Sequence, residues 1–275
     1  MRQLVRGLVL ASHPAPTAMV TALSLALLVG LRAPVAILVL AGLAVLTGQF
    51  SVGWSNDWFD AARDEVVGRT AKPLVSGLLT RFQLGVSSLV AALGCLVFSL
   101  WTGVVPGTVH LAAVASAWLY NAGLKGTMWS WVPYGVSFSL LPTFLVLAVP
   151  GRAVPPWLWL TGGLLGVGAH VANVLPDLED DASTGIRGLP HRIGRTGSSV
   201  LAPVLLAGAA VVVTLGPPRQ AGPMRLAGLG ACILIAVGAG VVGITRRHSR
   251  LPFTLSMLIA AVCVLLLVLA GADLA

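Results

Sequence analysis

The chain has 275 residues, of which 57% are hydrophobic and only 9% are charged. An ordinary soluble domain is about 45–50% apolar and about 25% charged. A mean hydropathy of +0.93 therefore excludes a soluble enzyme, and it also excludes a disordered chain. In a soluble protein the net charge of +8 would indicate nucleic-acid binding. In a membrane protein an excess of positive charge is typical of cytoplasmic loops, so no nucleic-acid partner is expected.

Apolar runs long enough to cross a bilayer recur along the whole chain. A hydrocarbon core of about 30 Å requires about 20 apolar residues in a helix. The sequence predicts nine spans, at 15–31, 34–54, 82–103, 105–122, 130–149, 156–175, 198–216, 225–245 and 252–271. The basic segment before the first span is followed at once by His13, Pro14 and Pro16. This pattern is a poor match to a signal peptide, so we expect no cleavage.

Basic residues are distributed unequally between the two sides of this topology. Thirteen of the 17 Lys and Arg residues fall at the N-terminus or after spans 2, 4, 6 and 8. The other four, Arg32, Arg152, Arg219 and Arg225, fall on the opposite side. The positive-inside rule then places the N-terminus and the long connections in the cytoplasm. Together with a composition rich in Arg, Ala, Gly and Val, this predicts a multi-pass protein of a bacterial cytoplasmic membrane.

Acidic residues are concentrated in two short clusters that each follow an even-numbered span. Eight of the nine acidic residues lie in these clusters, and the ninth is Asp273 near the C-terminal end. The first cluster contains Asp57, Asp60, Asp64 and Glu65, and the second contains Asp177, Glu179, Asp180 and Asp181. Carboxylates next to a bilayer are costly, and they usually mark a pathway or a site. The two clusters are therefore the strongest candidates for function.

The two clusters share the pattern N-x-x-x-D-x-x-x-D. The first motif contains Asn56, Asp60 and Asp64, and the second contains Asn173, Asp177 and Asp181. Positions i, i+4 and i+8 fall on one face of a helix, so each motif is predicted to present one amide and two carboxylates as a stripe. The repetition indicates two pseudo-repeated helical halves with weak sequence identity.

Such a concentration of acids requires a cation. Two carboxylates about 4 Å apart repel by about 4 kcal/mol at an effective dielectric constant of about 20. Mg²⁺ prefers oxygen ligands and is commonly shared between carboxylates and substrate phosphates. Basic residues that suit a diphosphate follow the motifs or lie between them, namely Arg69, Lys72, Lys125 and Arg192. The sequence thus predicts Mg²⁺ as cofactor and a diphosphate substrate.

These residues resemble the motifs of a known family. Asn56-Asp57-x-x-Asp60-x-x-x-Asp64 is similar to the first aspartate-rich motif of the UbiA superfamily of intramembrane prenyltransferases, and Asp177-x-x-x-Asp181 is similar to the second. Tyr120-x-x-x-x-Lys125 resembles the tyrosine–lysine element between them. Lys72-Pro73-Leu74-x-Ser76-Gly77 resembles the loop after the first motif, with Lys where Arg is commoner.

The resemblance implies an all-α integral membrane protein with nine transmembrane helices around a central cavity. A single domain would then cover residues 1–275, with cytoplasmic motif loops at about 55–81 and 173–197. The implied activity is Mg²⁺-dependent transfer of a prenyl group from an isoprenyl diphosphate to a lipophilic, often aromatic, acceptor within membrane lipid. An allylic carbocation is the implied intermediate.

The resemblance also implies roles for individual residues. Asn56, Asp60, Asp64, Asp177 and Asp181 would hold Mg²⁺, and Asn173 joins them on local spacing alone. Arg69, Lys72, Lys125 and Arg192 would contact the diphosphate. The expected catalytic residues are Asp57, Tyr120 and Asp180. Tyr120 would face a phosphate oxygen or the carbocation, and Asp57 would be a metal ligand, a base or the partner of a loop cation. The assignment of Asp180 rests on local spacing alone.

Three other classes of membrane protein also carry acidic residues near membrane spans. A CDP-alcohol phosphotransferase requires D-G-x-x-A-R, which Asp60-Ala61-Ala62-Arg63 does not match. A transporter would place its charges nearer the middle of the membrane. A terpene cyclase on the same scaffold would ionise the diphosphate but quench the cation internally, and the sequence leaves this alternative open. His13 and His110 show no partner in the sequence.

Overall fold

The fold is described by a computed structural model that covers residues 2–246 and 249–271, so Asp273 lies outside the described residues. The described chain consists of helices and the turns that connect them, and it has no strand. Its helices are α1 (Arg2–Ala11), α2 (Pro14–Gly30), α3 (Val35–Val67), α4 (Arg81–Trp101), α5 (Val104–Ala122), α6 (Trp131–Ala148), α7 (Pro156–Val174), α8 (Leu178–Ser183), α9 (Leu189–Leu215), α10 (Pro223–Thr245) and α11 (Leu251–Ala270). Two 3₁₀ turns, Leu124–Gly126 and Leu175–Asp177, follow α5 and α7.

The long helices form a closed ring. Each packs against the next from α2 to α7, then α7 packs on α9, α9 on α10, and α10 on α11. Contacts between α11 and α2 close the ring. Large apolar side chains such as Leu93, Leu234 and Leu265 are exposed on its outer surface. Such a surface suits lipid rather than water, and it agrees with a multi-pass membrane protein.

The predicted count of nine spans is not confirmed. Each predicted span falls on one of the helices with 17 or more residues, but seven described helices are long and apolar enough to cross a membrane. An eighth is added if α1 and α2, which meet at an angle of 68°, form one span. Helix α2 has only 17 residues, and α5 carries His110, Tyr120 and Asn121, which lower its apolar character.

Helix α3 continues well past the predicted end of its span. It runs for 33 residues to Val67 and includes the whole first motif. Gly68 ends it with a left-handed backbone (φ 69°), a conformation that glycine adopts without a steric penalty. The first motif is therefore helical, as the i, i+4, i+8 spacing predicts, and the irregular connection to α4 begins only at Gly68.

The second motif does not lie on one regular helix. Helix α7 ends at Val174, a 3₁₀ turn covers Leu175–Asp177, and α8 follows. Pro176 lies in the turn, and proline lacks the N–H that an α-helix interior needs. The prediction of a regular stripe is therefore wrong for Asn173, Asp177 and Asp181.

Close helix contacts in the second half of the ring depend on glycine. A Cβ atom built at Gly162 of α7 would lie 2.8 Å from the Ser139 Cα of α6, and it would also collide with the Phe138 carbonyl. Real Cβ atoms do not approach so closely, so α6 and α7 meet at this distance only because residue 162 lacks a side chain.

We expect Gly162→Ala to lower the free energy of unfolding by about 1–3 kcal/mol, since the added methyl group meets backbone that cannot easily move. The matched control is Gly238→Ala on α10, where a Cβ atom meets nothing within 4 Å. The control should be neutral or slightly stabilising, because alanine favours the helix. Unfolding in detergent measures both, and equal stability of the two variants would contradict the packing.

Candidate active site

The first motif directs its acids into the protein. Asp57, Asp60 and Asp64 are all buried on α3, whereas Ala62 and Glu65 between and beside them are exposed. Asn56 is half-buried on the same face as Asp60 and Asp64. Buried carboxylates are tolerated only with partners that neutralise them. The neighbouring basic side chains supply these partners.

Asp60 is paired with two cations. Its Oδ2 accepts a hydrogen bond from Arg63 Nη2 at 3.0 Å, and its Oδ1 forms a close ion pair with Lys125 Nζ. Lys125 lies in the 3₁₀ turn after α5, so this pair joins two segments that are 65 residues apart. Burial lowers the pKa of Lys125, and the charge of Asp60 opposes that effect.

One arginine connects the two motifs. Arg69 Nη1 lies 3.3 Å from Asp64 Oδ1, and Arg69 Nη2 lies 3.6 Å from Asp181 Oδ1. Arg69 follows α3, and Asp181 belongs to α8. A single guanidinium group therefore bridges a carboxylate of the first motif and a carboxylate of the second. The acidic clusters, 117 residues apart along the chain at Asp64 and Asp181, meet at one end of the helix ring.

Asp57 forms a separate charged group. Its Oδ1 accepts a hydrogen bond from Lys72 Nζ at 2.6 Å and lies 3.1 Å from His13 Nε2. Its Oδ2 is buried and has no hydrogen-bond partner among the described residues. The sequence predicted Lys72 near this site, but it gave no signal for His13, which is 44 residues away.

Asn121 is a second residue that sequence reasoning missed. It is buried on α5, and its Nδ2 donates to the Val52 carbonyl at 3.0 Å and to Ser55 Oγ at 2.9 Å. Its Oδ1 accepts from Asn56 Nδ2 at 3.2 Å. The side-chain amide of Asn56 is therefore oriented with its Nδ2 toward Asn121, and the Oδ1 of Asn56 takes no part in this hydrogen bond. Its position directly after Tyr120 was the available signal.

Tyr120 lies in an aromatic group on the inner side of the ring. Its ring meets Tyr134 and His170 edge to face, with centroid distances of 5.1 Å and 5.6 Å. His170 Nε2 lies 3.0 Å from Ser130 Oγ, which also accepts the Leu189 N–H at 2.9 Å. These bonds fix the aromatic group close to the start of α9.

Several predicted site residues lie outside the charged network of Asp57, Asp60 and Asp64, although Asn173 forms a side-chain hydrogen bond with Tyr134 of the aromatic group. Asn173, Asp177 and Asp180 are exposed, and the structure records no ion pair of Asp177 or Asp180 with another described residue. Arg192 is exposed, and its Nε donates to the Arg187 carbonyl at 3.1 Å. The second motif thus contributes Asp181 to the charged network.

A bidentate ion pair with α9 holds the short helix α8 in position. Arg195 Nε donates to Glu179 Oε1 at 2.7 Å, and Arg195 Nη2 pairs with Glu179 Oε2. Gly194 interrupts α9 with a left-handed backbone (φ 75°), so Arg192 and Arg195 lie on either side of a kink. The sequence pattern assigns no partner to Glu179, so this ion pair is known only from the structure.

The donor atoms around the first motif suit a hard divalent cation. Asp57, Asp60, Asp64 and Asp181 offer carboxylate oxygens, one of them the unpartnered Asp57 Oδ2. Among residues 2–246 and 249–271, no three His, Cys, Asp or Glu side chains are gathered into a metal-binding geometry, since the carboxylates are paired with Arg and Lys. The residue types fit Mg²⁺ once these basic groups change partners.

Comparison with known proteins agrees with this arrangement. The sequence model of the UbiA prenyltransferase family matches residues 17–262, which is most of the chain. The chain belongs to this family. The family resemblance predicted from the two motifs is thereby confirmed.

Two curated relatives are similar in sequence. The 33 kDa chain of bacteriochlorophyll synthase from Cereibacter sphaeroides is 34% identical over 206 residues, or 67% of this chain. Digeranylgeranylglyceryl phosphate synthase from Methanopyrus kandleri is 31% identical over 166 residues, or 58% of this chain. The chain spans 66% and 59% of the lengths of these two relatives.

Solved structures show the same fold. A structure described as digeranylgeranylglyceryl phosphate synthase in membranes superposes with a TM-score of 0.76 at 18% identity, and the match covers all of both chains. A UbiA homologue from Archaeoglobus fulgidus bound to DMAPP and Mg²⁺ gives a TM-score of 0.71 at 14% identity and covers 95% of this chain and 99% of that one. The helical ring is therefore a UbiA-type fold.

We expect Asn121→Ala to lower the free energy of unfolding by about 1–3 kcal/mol, because the Val52 carbonyl and the Asn56 amide lose a buried partner. The control is Gln220→Ala, which removes an exposed amide side chain between α9 and α10 and should change stability by less than about 0.5 kcal/mol. Thermal unfolding in detergent measures both. Unchanged stability of Asn121→Ala would contradict the role of this network.

Proposed function

We propose that the protein transfers a prenyl group from an isoprenyl diphosphate to a lipophilic acceptor, with Mg²⁺ as cofactor. The supporting observation is the Arg69 bridge, which joins Asp64 and Asp181 and so unites both acidic motifs with the basic residues of the site. Family membership and relatives named as synthases support the same activity. A structural neighbour with DMAPP and Mg²⁺ bound supports the substrate class and the metal.

The acidic residues hold the cofactor in this proposal. Oxygen atoms of Asn56, Asp60, Asp64, Asn173, Asp177 and Asp181 would be the ligands. A metal held there would supply positive charge to neutralise the negative charge that develops on the departing diphosphate. Asn121 keeps the Asn56 amide in one orientation, and Glu179 with Arg195 keeps α8 against α9.

Substrate binding requires an exchange of partners. Arg69, Lys72 and Lys125 are each paired with a carboxylate in the structure. With Asp60, Asp64 and Asp181 committed to metal, Arg69 and Lys125 would turn with Arg192 to the diphosphate oxygens. Lys72 would contact the same oxygens while it stays paired with Asp57. A guanidinium group is suited to this task because its planar donors match phosphate oxygens. The same basic side chains would then neutralise carboxylates in the free protein and diphosphate in the substrate-bound protein.

Reaction begins with cleavage of the allylic C–O bond, whose electron pair leaves with the diphosphate. The prenyl group becomes an allylic carbocation, and the acceptor's nucleophilic atom forms the new bond and then releases a proton. The Tyr120 ring, held among Tyr134 and His170, stabilises the cation through its π face. Asp57 and Asp180 are the candidate groups for the released proton.

The proposed location is a bacterial cytoplasmic membrane. The described helices are apolar enough for several spans, and the basic residues favour one side by thirteen to four. This distribution supports an N-terminus and active-site loops in the cytoplasm. Isoprenyl diphosphates carry a charged head and an apolar tail, and the site at one end of an apolar ring suits both parts.

We expect Asp60→Ala and Asp177→Ala to lower diphosphate release at least 100-fold in membrane vesicles supplied with Mg²⁺ and C10 to C20 prenyl diphosphates, since losing transition-state charge stabilisation costs about 10²–10³ in rate. The matched control is Glu65→Gln, an exposed acid next to the first motif that should keep full activity.

Acceptor dependence decides between transfer and cyclisation in the same assay. Transfer predicts a prenylated product that forms only when an acceptor is present. A cyclised product in vesicles without acceptor would contradict transfer and would favour a terpene cyclase. Equal diphosphate release by wild type, Asp60→Ala and Asp177→Ala would contradict both activities.

Removal of the metal provides a separate prediction. We expect EDTA to abolish both diphosphate release and the binding of labelled inorganic diphosphate, because the paired motifs cannot hold the anion without Mg²⁺. Restoring Mg²⁺ should restore both, and Ca²⁺ should support binding better than turnover, because its ligand geometry is larger and looser. Diphosphate binding that persists in EDTA would contradict the proposed metal role.

A further inference from the structure

His13 lies where α1 turns into α2, and it contacts the first motif directly. Its Nε2 is 3.1 Å from Asp57 Oδ1, the same oxygen that accepts the Lys72 hydrogen bond. We propose that His13 is a positioning residue for diphosphate binding, which fixes the Asp57 carboxylate so that Asp57 holds Lys72 in place. This inference rests on the proposed function, because it gives Lys72 a diphosphate to bind.

The need for a second donor follows from the burial of Asp57. Its side chain is only 3% exposed, and its Oδ2 has no partner among the described residues. With Lys72 alone, the carboxylate is free to rotate and to offer either oxygen. A second donor on Oδ1 fixes the rotation. The side chain of Lys72 is long and flexible, so the position of its ammonium group depends on where this acceptor is held.

The backbone around His13 is held in an unusual conformation. His13 has φ 52° and ψ 67°, a left-handed geometry that is unfavourable for a residue other than glycine. Thr17 Oγ1 donates to the Ser12 carbonyl at 2.7 Å and stabilises the turn. A strained residue that is kept in place by its surroundings is a frequent feature of functional sites.

The turn is pressed against α3 one helical turn before Asp57. A Cβ atom at Gly53 would lie 3.0 Å from the Ser12 carbonyl oxygen, so the missing side chain allows this approach. Trp54 Nε1 also donates to the Leu8 carbonyl at 2.9 Å. Gly53 and Asp57 are four residues apart and share one face of α3. The contact therefore sets the distance between His13 and Asp57.

Helix α1 also covers the segment that carries Lys72. A Cβ atom at Gly7 would lie 2.6 Å from Leu79 Cγ, and Leu79 is buried at the end of that segment. Leu79 N–H donates to the Pro73 carbonyl at 3.2 Å, which closes the loop next to Lys72. One amphipathic helix thus contacts both α3 and the Lys72 loop, and His13 is the polar link between them.

The test measures the binding of inorganic diphosphate with Mg²⁺ to the full-length protein in lipid nanodiscs, which requires neither an acceptor nor a known prenyl chain. His13→Leu removes the hydrogen bond. His13→Gln restores a donor at the position of Nε2. His13→Asn tolerates the left-handed backbone but is too short to reach Asp57, so it separates the hydrogen bond from the backbone conformation.

We expect His13→Leu and His13→Asn to weaken diphosphate binding about tenfold, in line with the loss of a hydrogen bond to a charged group. His13→Gln should stay within about threefold of wild type. Because His13 acts through Lys72, the double variant His13→Leu/Lys72→Ala should bind no more weakly than Lys72→Ala alone. Thermal unfolding of each variant shows that it is folded.

Distinct results would overturn the inference and the proposed function. Wild-type protein that does not bind diphosphate with Mg²⁺ contradicts the proposed function. Wild-type protein that binds, together with unchanged binding by His13→Leu, contradicts the role of His13 alone. Recovery by His13→Asn as well as His13→Gln would assign the effect to the backbone and would also contradict it, as would additive losses in the double variant.

Discussion

The neutralisation of buried carboxylates at one end of the helix ring is the constraint on which the site depends. Asp57, Asp60, Asp64 and Asp181 each have a basic partner, and most of these partners come from another segment. Arg69 connects the end of α3 to α8, and Lys125 connects α3 to the turn after α5. An unpaired carboxylate in this setting would be strongly unfavourable. The ion pairs that neutralise the carboxylates therefore also hold the connections between helices in place.

This arrangement lets one set of residues serve stability and chemistry. The carboxylates and the cations that a metal–diphosphate complex needs are already within a few ångströms of each other, so little movement separates the free site from a loaded one. The cost is that Asp60, Asp64 and Asp181 would first have to give up an internal partner. In the proposed function, metal and diphosphate would therefore bind together, because either alone would leave charges of one sign unpaired.

The sequence predicted those parts of the structure that local spacing controls. The first stripe is correct because α3 continues as a regular helix to Val67, and the second fails because Pro176 interrupts the helix. Arg69, Lys72 and Lys125 were predicted near the site, but spacing cannot tell which carboxylate each one meets. His13 and Asn121 were missed since their partners lie 44 and 65 or more residues away, where the chain carries no periodic signal.

Two motifs with the same spacing are therefore supported in different ways. The first is part of a continuous helix, shielded by α1 and by the loop that carries Lys72, and its acids are buried. The second follows a helix that has already ended, so Asp177 and Asp180 are exposed, and the position of α8 depends on Arg195 and Arg69. An internal repeat in sequence thus gives one rigid set of carboxylates and one set whose position depends on ion pairs. The difference arises from a single proline and from the helix α1 that covers one half of the site.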